Sequence, residues 1–208
     1  MTSRLSVAVA LRLEAAALRR GLGPGVVVRT GMGPSAASGA LRGILAGQPN
    51  AVCVAGLGGA TTGRAAVGDL LVATAVHSER GGVAATGYDV LAAALRSAGY
   101  TVHCGPLWTS THVVRQAERR SLADRGMLAV DMESFPIAAA VGVPFAALRV
   151  IVDTPNRKLA RPGVVLDGVR ALHALSGVGP ALKSWSARMS TGSDHSVADG
   201  EASDRNTR

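Results

Sequence analysis

One α/β domain is the fold class this sequence predicts, and three observations predict it. The chain has 208 residues, enough for a single domain with a sizeable core, and 48% of them are hydrophobic, chiefly Ala, Val and Leu. Short apolar runs alternate with stretches whose apolar residues recur at helical spacing, the pattern of a largely parallel sheet with right-handed crossovers. Two of the runs, Met127 to Val130 and Val143 to Val152, are bounded by Gly and Pro and lead into acids, as strands covered on both faces would. Glu133 and Asp153 then fall just past two strand ends, the edge where open α/β sheets place their ligands.

The elements come in order along the chain. Ser6 to Leu11 reads as a strand, with Glu14 and an Ala-rich helix from Ala15 to Arg20 stopped by Gly21. Val26 to Thr30 is a second strand, Gly31-Met-Gly-Pro34 a tight turn and Ser35 to Ala46 a helix. Ala51 to Ala55 is a third strand, running into a Gly-rich loop from Gly56 to Gly63. A long strand spans Leu70 to His77, with a loop at Gly81-Gly82. Tyr88 to Ala98 is helical, Tyr100 to Cys104 a strand, and Gly105-Pro106 a break. Val113 to Asp124 reads as an amphipathic helix whose Arg115, Arg119 and Arg120, with Arg125 beyond, form a solvated face. A short helix from Ile137 to Val141 separates the two strands that end on acids. Val164 to Leu175 and Pro180 to Met189 are closing helices. The folded domain is drawn as residues 1–189, and the polar stretch 190–208 as a disordered tail.

Composition excludes several classes of function. The net charge of +8 invites a nucleic-acid reading, but the arginines are spread along the chain with no aromatic residues among them and no recognition motif. Cys53 and Cys104 sit in apolar runs without CxxC spacing, so buried reduced thiols are expected rather than a disulfide or a metal site. No run of 18 or more apolar residues is present, and the N-terminal apolar run is too short for a signal peptide. A cytoplasmic protein is expected. The Gly-rich stretches match neither GxGxxG nor GxxxxGK[ST], so neither a dinucleotide nor a nucleoside triphosphate is indicated.

The residues around the two acids carry a resemblance. Asp131-Met-Glu-Ser134, followed by the run LRVIVDTPNRKL, resembles the purine nucleoside phosphorylase and methylthioadenosine nucleosidase family. The form is most like the branch attached to hopanoid biosynthesis, which removes adenine from adenosylhopane. The similarity covers roughly Leu5 to Arg161 and is strongest from Ala129 to Asp153. It implies a three-layer α/β/α fold with a mixed, partly closed sheet.

Cleaving a purine N-glycosidic bond poses three problems: the base must leave, the ribose becomes oxocarbenium-like, and a nucleophile must reach C1′. By resemblance, Asp153 is the acid that donates to purine N7, although Val152 stands where nucleosidases often carry Ser. Glu133 holds the two ribose hydroxyls, which a carboxylate can accept together, and Met132 packs on the sugar. Glu14 is the water activator; read alone it is a first-turn helix acid, and Asp131 read alone is a helix cap. Gly56, Gly58 and Gly59 belong to a loop lining the substrate site, with Thr61, Thr62 and Arg64 beside it as phosphate ligands if the enzyme is a phosphorylase. Arg12 and Arg149 are further phosphate candidates. His112 is a candidate for the base pocket, whereas His77 and His103 read as core or edge residues.

The expected function is therefore release of adenine from a 5′-substituted purine nucleoside, by water or phosphate. Methylthioadenosine, adenosylhomocysteine or futalosine are alternative substrates, and a non-catalytic nucleoside-binding protein is the rival from another class. No cofactor or metal is expected, and phosphate stands only as a co-substrate. A homo-oligomer is implied, with peripheral membrane contact if the substrate is a lipid.

Overall fold

The computed structural model describes residues 4–155 and 164–192. Two short parallel units open the chain: β1 (Leu5–Val9), α1 (Arg12–Leu22), β2 (Val27–Arg29) and α2 (Pro34–Ala46). Three strands come next, β3 (Ala51–Ala60), β4 (Leu70–Ser78) and β5 (Gly81–Ala84), then α3 (Tyr88–Ser97), β6 (Val102–Thr109) and α4 (Gln116–Asp124). The last part holds β7 (Ala129–Asp131), α5 (Ser134–Ala138), β8 (Phe145–Asp153), α6 (Val164–Gly177) and α7 (Gly179–Gly192).

All the strands join one mixed sheet in the order β2-β1-β3-β7-β6-β4-β5, and β8 lies off this path between β3 and β4. β8 runs parallel to β3 and antiparallel to β4, while β7 runs antiparallel to β3 and parallel to β6. The ring β3-β7-β6-β4-β8 thus closes on itself, and β2 and β5 remain as edges. Side chains alternate across this sheet. In β1, Val7 and Val9 join a core with Leu18, Leu95, Leu175 and Trp185 from the helices α1, α3, α6 and α7. Ala8 between them faces the other way, into a core with Ile44 of α2 and Ile137 of α5. Two helical layers therefore sandwich one sheet, the single-domain α/β/α architecture expected.

Several boundaries differ from the sequence reading, for physical reasons. The Gly-rich stretch Gly56–Ala60 is not a loop: it continues β3, pairing with β8 through a register shift at Gly58/Gly59 and with β7 beyond it. Gly81-Gly82 is the start of the edge strand β5, paired with His77 and Ser78 across a two-residue turn. Gly105-Pro106 does not break β6, because Gly105 leaves room for the Leu128 side chain and Pro106 O accepts the Leu128 N–H at 2.9 Å. Helix α1 passes Gly21 and ends at Leu22, and α4 begins at Gln116 rather than Val113. Helix α7 continues through Ser190, Thr191 and Gly192; the rest of the tail, 193–208, lies outside the described residues.

Candidate active site

Three strand ends converge on one cleft. β1 delivers the first turn of α1, β7 delivers Asp131, Met132 and Glu133, and β8 delivers Asp153. The cleft has a volume of about 220 Å³, and its walls include Glu14, Gly58, Met132, Glu133 and Asp153. Four of the acids around it are buried: Glu14 at 2% exposure, and Asp131, Glu133 and Asp153 at 7 to 8%. Buried carboxylates persist only where charge or hydrogen bonds compensate them, and each of these has its own compensation.

Glu14 is held by backbone alone. The Leu11 N–H donates to its Oε2 at 2.7 Å and the Leu57 N–H to its Oε1 at 2.8 Å. The first bond is what a first-turn helix acid makes, so the simple reading of Glu14 holds; the second, from β3, aims the carboxylate into the cleft. Glu133 accepts from the Gly33 N–H at 3.1 Å, which ties it to the turn before α2. Gly33 has a φ of 88°, a left-handed value that glycine tolerates and that sets this N–H toward the cleft. Burial pushes the Glu133 carboxyl above its ordinary pKa; Arg149 pulls it down, and Asp131 adds to the rise.

Asp131 is more than a cap. The Ser134 N–H reaches its Oδ1 only at 3.5 Å, whereas the Thr109 hydroxyl donates to that oxygen at 2.7 Å. Its Oδ2 takes the Arg149 guanidinium, from Nε at 2.9 Å and from Nη2. Arg149, 1% exposed, also donates to the Ser134 hydroxyl at 3.0 Å and approaches Glu133 at 3.6 Å. Burial works against its charge, yet Asp131, Glu133 and Glu14 together raise its pKa. Arg149 is thus an internal counter-ion under the cleft.

Asp153 has a partner that the helical pattern hid. Arg119 of α4 is only 8% exposed, and its Nη2 donates to Asp153 Oδ2. The same guanidinium donates to Ala60 O at 3.3 Å and to Val114 O at 3.4 Å. The solvated face expected for this helix holds for Arg115, Arg120 and Arg125, which are exposed, and is corrected at Arg119, which points inward; Arg125 also lies over the Trp108 ring at 4.6 Å. An amphipathic pattern marks one helix face, and here the burying face carries a charge whose partners lie in other elements.

The glycines of β3 make room for these arginines. A Cβ on Gly56 would lie 2.7 Å from Arg149 Nη1 and 2.8 Å from Glu14 Oε1. On Gly58 it would meet Arg149 Cβ at 3.0 Å, and on Gly59 Arg119 Nη2 at 2.9 Å. Gly58 and Gly59 line the cleft, as the sequence suggested, but as strand residues under guanidinium groups. The proposed phosphate ligands beside them do not reach it. The Thr61 hydroxyl is buried and donates to Met127 O, Thr62 Oγ1 receives the Arg64 N–H at 3.4 Å, and Arg64 is exposed. Arg12 is exposed as well.

Met132 and His112 do line the cleft, and His112 Nε2 is 2.9 Å from Glu118. His103 pairs with Asp69 at 2.9 Å, away from the cleft. Cys53 and Cys104 are free thiols, and burial pushes the Cys53 pKa up to about 12. Among the described residues no cluster of His, Cys, Asp and Glu could hold a metal, and no helix is long and apolar enough to cross a membrane.

Known proteins share this architecture. A Helicobacter pylori methylthioadenosine nucleosidase mutant with 5′-methylthioadenosine in its active site superposes with a TM-score of 0.73 at 19% identity, over 90% of this chain and 100% of that one. The Campylobacter jejuni 5′-methylthioadenosine/S-adenosylhomocysteine nucleosidase gives 0.75 at 13% identity, over 88% and 98%. A futalosine hydrolase mutant of Helicobacter pylori gives 0.70 at 16% identity, over 88% and 98%. No protein with a curated description matches in sequence. At these identities the superpositions speak for the fold, but the family model described as the phosphorylase superfamily matches residues 20–167 of the sequence itself, and the chain belongs to that superfamily.

Proposed function

We propose that the protein cleaves the N-glycosidic bond of a 5′-substituted purine nucleoside with water, releasing adenine. The observation that carries this reading is the convergence of Glu14, Glu133 and Asp153 on one cleft from three separate strand ends. Glu14, with both oxygens oriented by backbone N–H groups, takes a proton from water. The water oxygen joins C1′, the C1′–N9 electron pair leaves with the base, and the proton taken by Glu14 ends on the base. Glu133 accepts the ribose hydroxyls, and Met132 packs on the sugar. The Asp153–Arg119 pair meets the leaving base. No cofactor enters this scheme.

Water is favoured over phosphate by the charges. Arg149, the one interior phosphate candidate, is already committed to Asp131, Ser134 and Glu133, while Arg12 and Arg64 face outward. A phosphate dianion at C1′ would face the carboxylates of Glu14 and Glu133, and Arg149 is already held by Asp131 and Ser134. Met32 and Val113, 67% and 69% exposed, stand at the cleft mouth and favour an apolar 5′ substituent, such as the methylthio group or the hopane of adenosylhopane. A lipid substrate would bring the protein to a membrane surface, and a second copy of the chain would cover the same apolar rim.

The test is chromatography of the free purine base released from methylthioadenosine, adenosylhomocysteine, futalosine and adenosylhopane, with and without phosphate. Adenine from any adenosine substrate, at a rate indifferent to phosphate, is expected. Strict dependence on phosphate would overturn the hydrolytic part. Tight binding of all four without cleavage would leave a nucleoside-binding protein.

A further inference from the structure

The Asp153–Arg119 pair does more than neutralise two buried charges, and its part in recognising a base rests on the nucleosidase reading. Arg119 is pinned on each nitrogen: Nε to Val114 O, Nη1 to Ala60 O and Nη2 to Asp153 Oδ2. A guanidinium has two N–H groups on each terminal nitrogen, so one on Nη1 and one on Nη2 remain uncommitted. Asp153 Oδ1 has no hydrogen-bond partner among the described residues, and both side chains line the cleft. Gly59 keeps the space that Arg119 Nη2 fills, since a Cβ there would sit at 2.9 Å. The cleft wall therefore presents an N–H donor and a carboxylate acceptor side by side, held in place from three elements.

That pairing is the complement of one edge of one base. Adenine carries an acceptor, N7, beside a donor, its exocyclic amine; a 6-oxopurine carries two acceptors there. We infer that Arg119 is a specificity-determining residue that donates to purine N7 while Asp153 accepts from the exocyclic amine, so that the site selects adenine over 6-oxopurines. Arg119 then also meets the negative charge that develops on the base as the C1′–N9 bond breaks. A guanidinium stays charged throughout, so this stabilisation requires no prior protonation of Asp153. With a 6-oxopurine, O6 would face the carboxylate, and the mismatch is of the kind that costs about 1–3 kcal/mol, roughly 5- to 150-fold.

Two measurements test this. The first compares kcat/KM for 5′-methylthioadenosine and 5′-methylthioinosine in the parent, Arg119→Met and Arg119→Lys. The parent should prefer the adenosine at least about fivefold. Arg119→Met should lose on the order of 100-fold or more on the adenosine, as removal of a charge-stabilising donor does, with partial rescue by Lys. The second is calorimetric binding of 5′-methylthioadenosine against its 7-deaza analogue, which lacks the N7 acceptor. With slowly turned-over Glu14→Gln as background, the analogue should bind at least about fivefold more weakly, and Arg119→Met should abolish the difference. Equal binding of the two ligands with Arg119 present overturns the inference, and this reading needs no Arg119 variant to fold. A 7-deaza penalty that survives Arg119→Met overturns it too, leaving Arg119 as packing. If the parent cleaves no nucleoside but discriminates N7, the hydrolase reading falls and the base-recognition inference stands.

Discussion

Gly56→Ala tests whether the glycines of β3 exist for space rather than flexibility. The added Cβ would sit 2.7 Å from Arg149 Nη1, 2.8 Å from Glu14 Oε1 and 3.1 Å from Glu14 Cδ, where ordinary contact begins at 3.4 Å. Neither neighbour is the loose end of an exposed side chain. Arg149 is anchored to Asp131 and Ser134, and Glu14 Oε1 receives the Leu57 N–H. Overpacking of this kind costs about 1–3 kcal/mol. Pulling Glu14 off Leu57 leaves a buried donor unpaired for about another 1–3 kcal/mol. A loss of roughly 2–5 kcal/mol is expected, a large part of the ~5–15 kcal/mol that stabilises a domain. Nucleoside cleavage should fall further than stability does, because Glu14 is displaced. The matched control is Gly39→Ala in the middle of α2, where nothing lies within 4 Å of the new methyl. It should gain about 0.5–1 kcal/mol from helix propensity. Urea midpoints and adenine release report on both variants. Gly56→Ala within about 0.5 kcal/mol of the parent and fully active would refute the spatial argument, since that is the scale of an ordinary surface change.

The remaining predictions concern the charges around the cleft. Asp131→Ala strands the buried Arg149 guanidinium and should cost about 3–5 kcal/mol in urea denaturation, while the Asp131→Ala/Arg149→Met double variant should recover much of it. Strict additivity of the two single losses would show that the pair is not a unit. Glu133→Gln should lower adenine release by several orders of magnitude while changing stability in a pH-dependent way. The Glu133 pKa is raised above 4.5, so its cost to the fold is absent below that value and grows as pH rises from 4.5 through the folded pKa. The variant should therefore gain on the parent in thermal midpoint across that rise and match it most closely at acid pH; a gap independent of pH would contradict the assignment. Arg125→Ala should cost about 0.5–1 kcal/mol through loss of the Trp108 contact, read by urea denaturation with tryptophan fluorescence.

What the sequence made legible was local. The run from Val143 to Val152 is apolar throughout and stops at an acid, so β8 and the place of Asp153 can be read from patterning. Glu133 can be read in the same way from β7 and the short helix after it. The Gly-rich stretch misleads because glycine is the common mark of a turn, and nothing near Gly56 in sequence shows that Arg149 and Glu14 crowd its Cβ position. Arg119 misleads for the same kind of reason. Beside Arg115, Arg120 and Arg125 it looks like part of a charged face, and only Asp153, 34 residues on, and Ala60, 59 residues back, make its burial favourable. Asp131 reads as a cap from its position before a helix, whereas its strongest partner, Arg149, comes from β8. The candidate site residues supplied by single strands are legible; the counter-ions that make them tenable depend on the closed sheet.

Those counter-ions also decide what chemistry the cleft favours. Its acids are Glu14, Asp131, Glu133 and Asp153, and its buried guanidiniums are Arg119 and Arg149. The site is acidic on balance inside a chain with a net charge of +8. A positive outer field draws anions to the surface, but an anionic co-substrate entering the cleft would meet carboxylates whose compensating charges are already paired. In the proposed reaction a ribose moving toward an oxocarbenium ion would gain from the same arrangement, with Glu14 and Glu133, both anchored by backbone N–H groups, facing the sugar. Arg119, on the inferred base side, would face the leaving base as it becomes negative. Positive and negative charge developing at the two ends of one breaking bond would each meet a fixed group of opposite sign, held before substrate arrives and needing no reorganisation. Exchanging the ends, as in an Arg119→Glu variant, should therefore abolish cleavage even if the nucleoside still binds, and binding calorimetry beside adenine release separates the two.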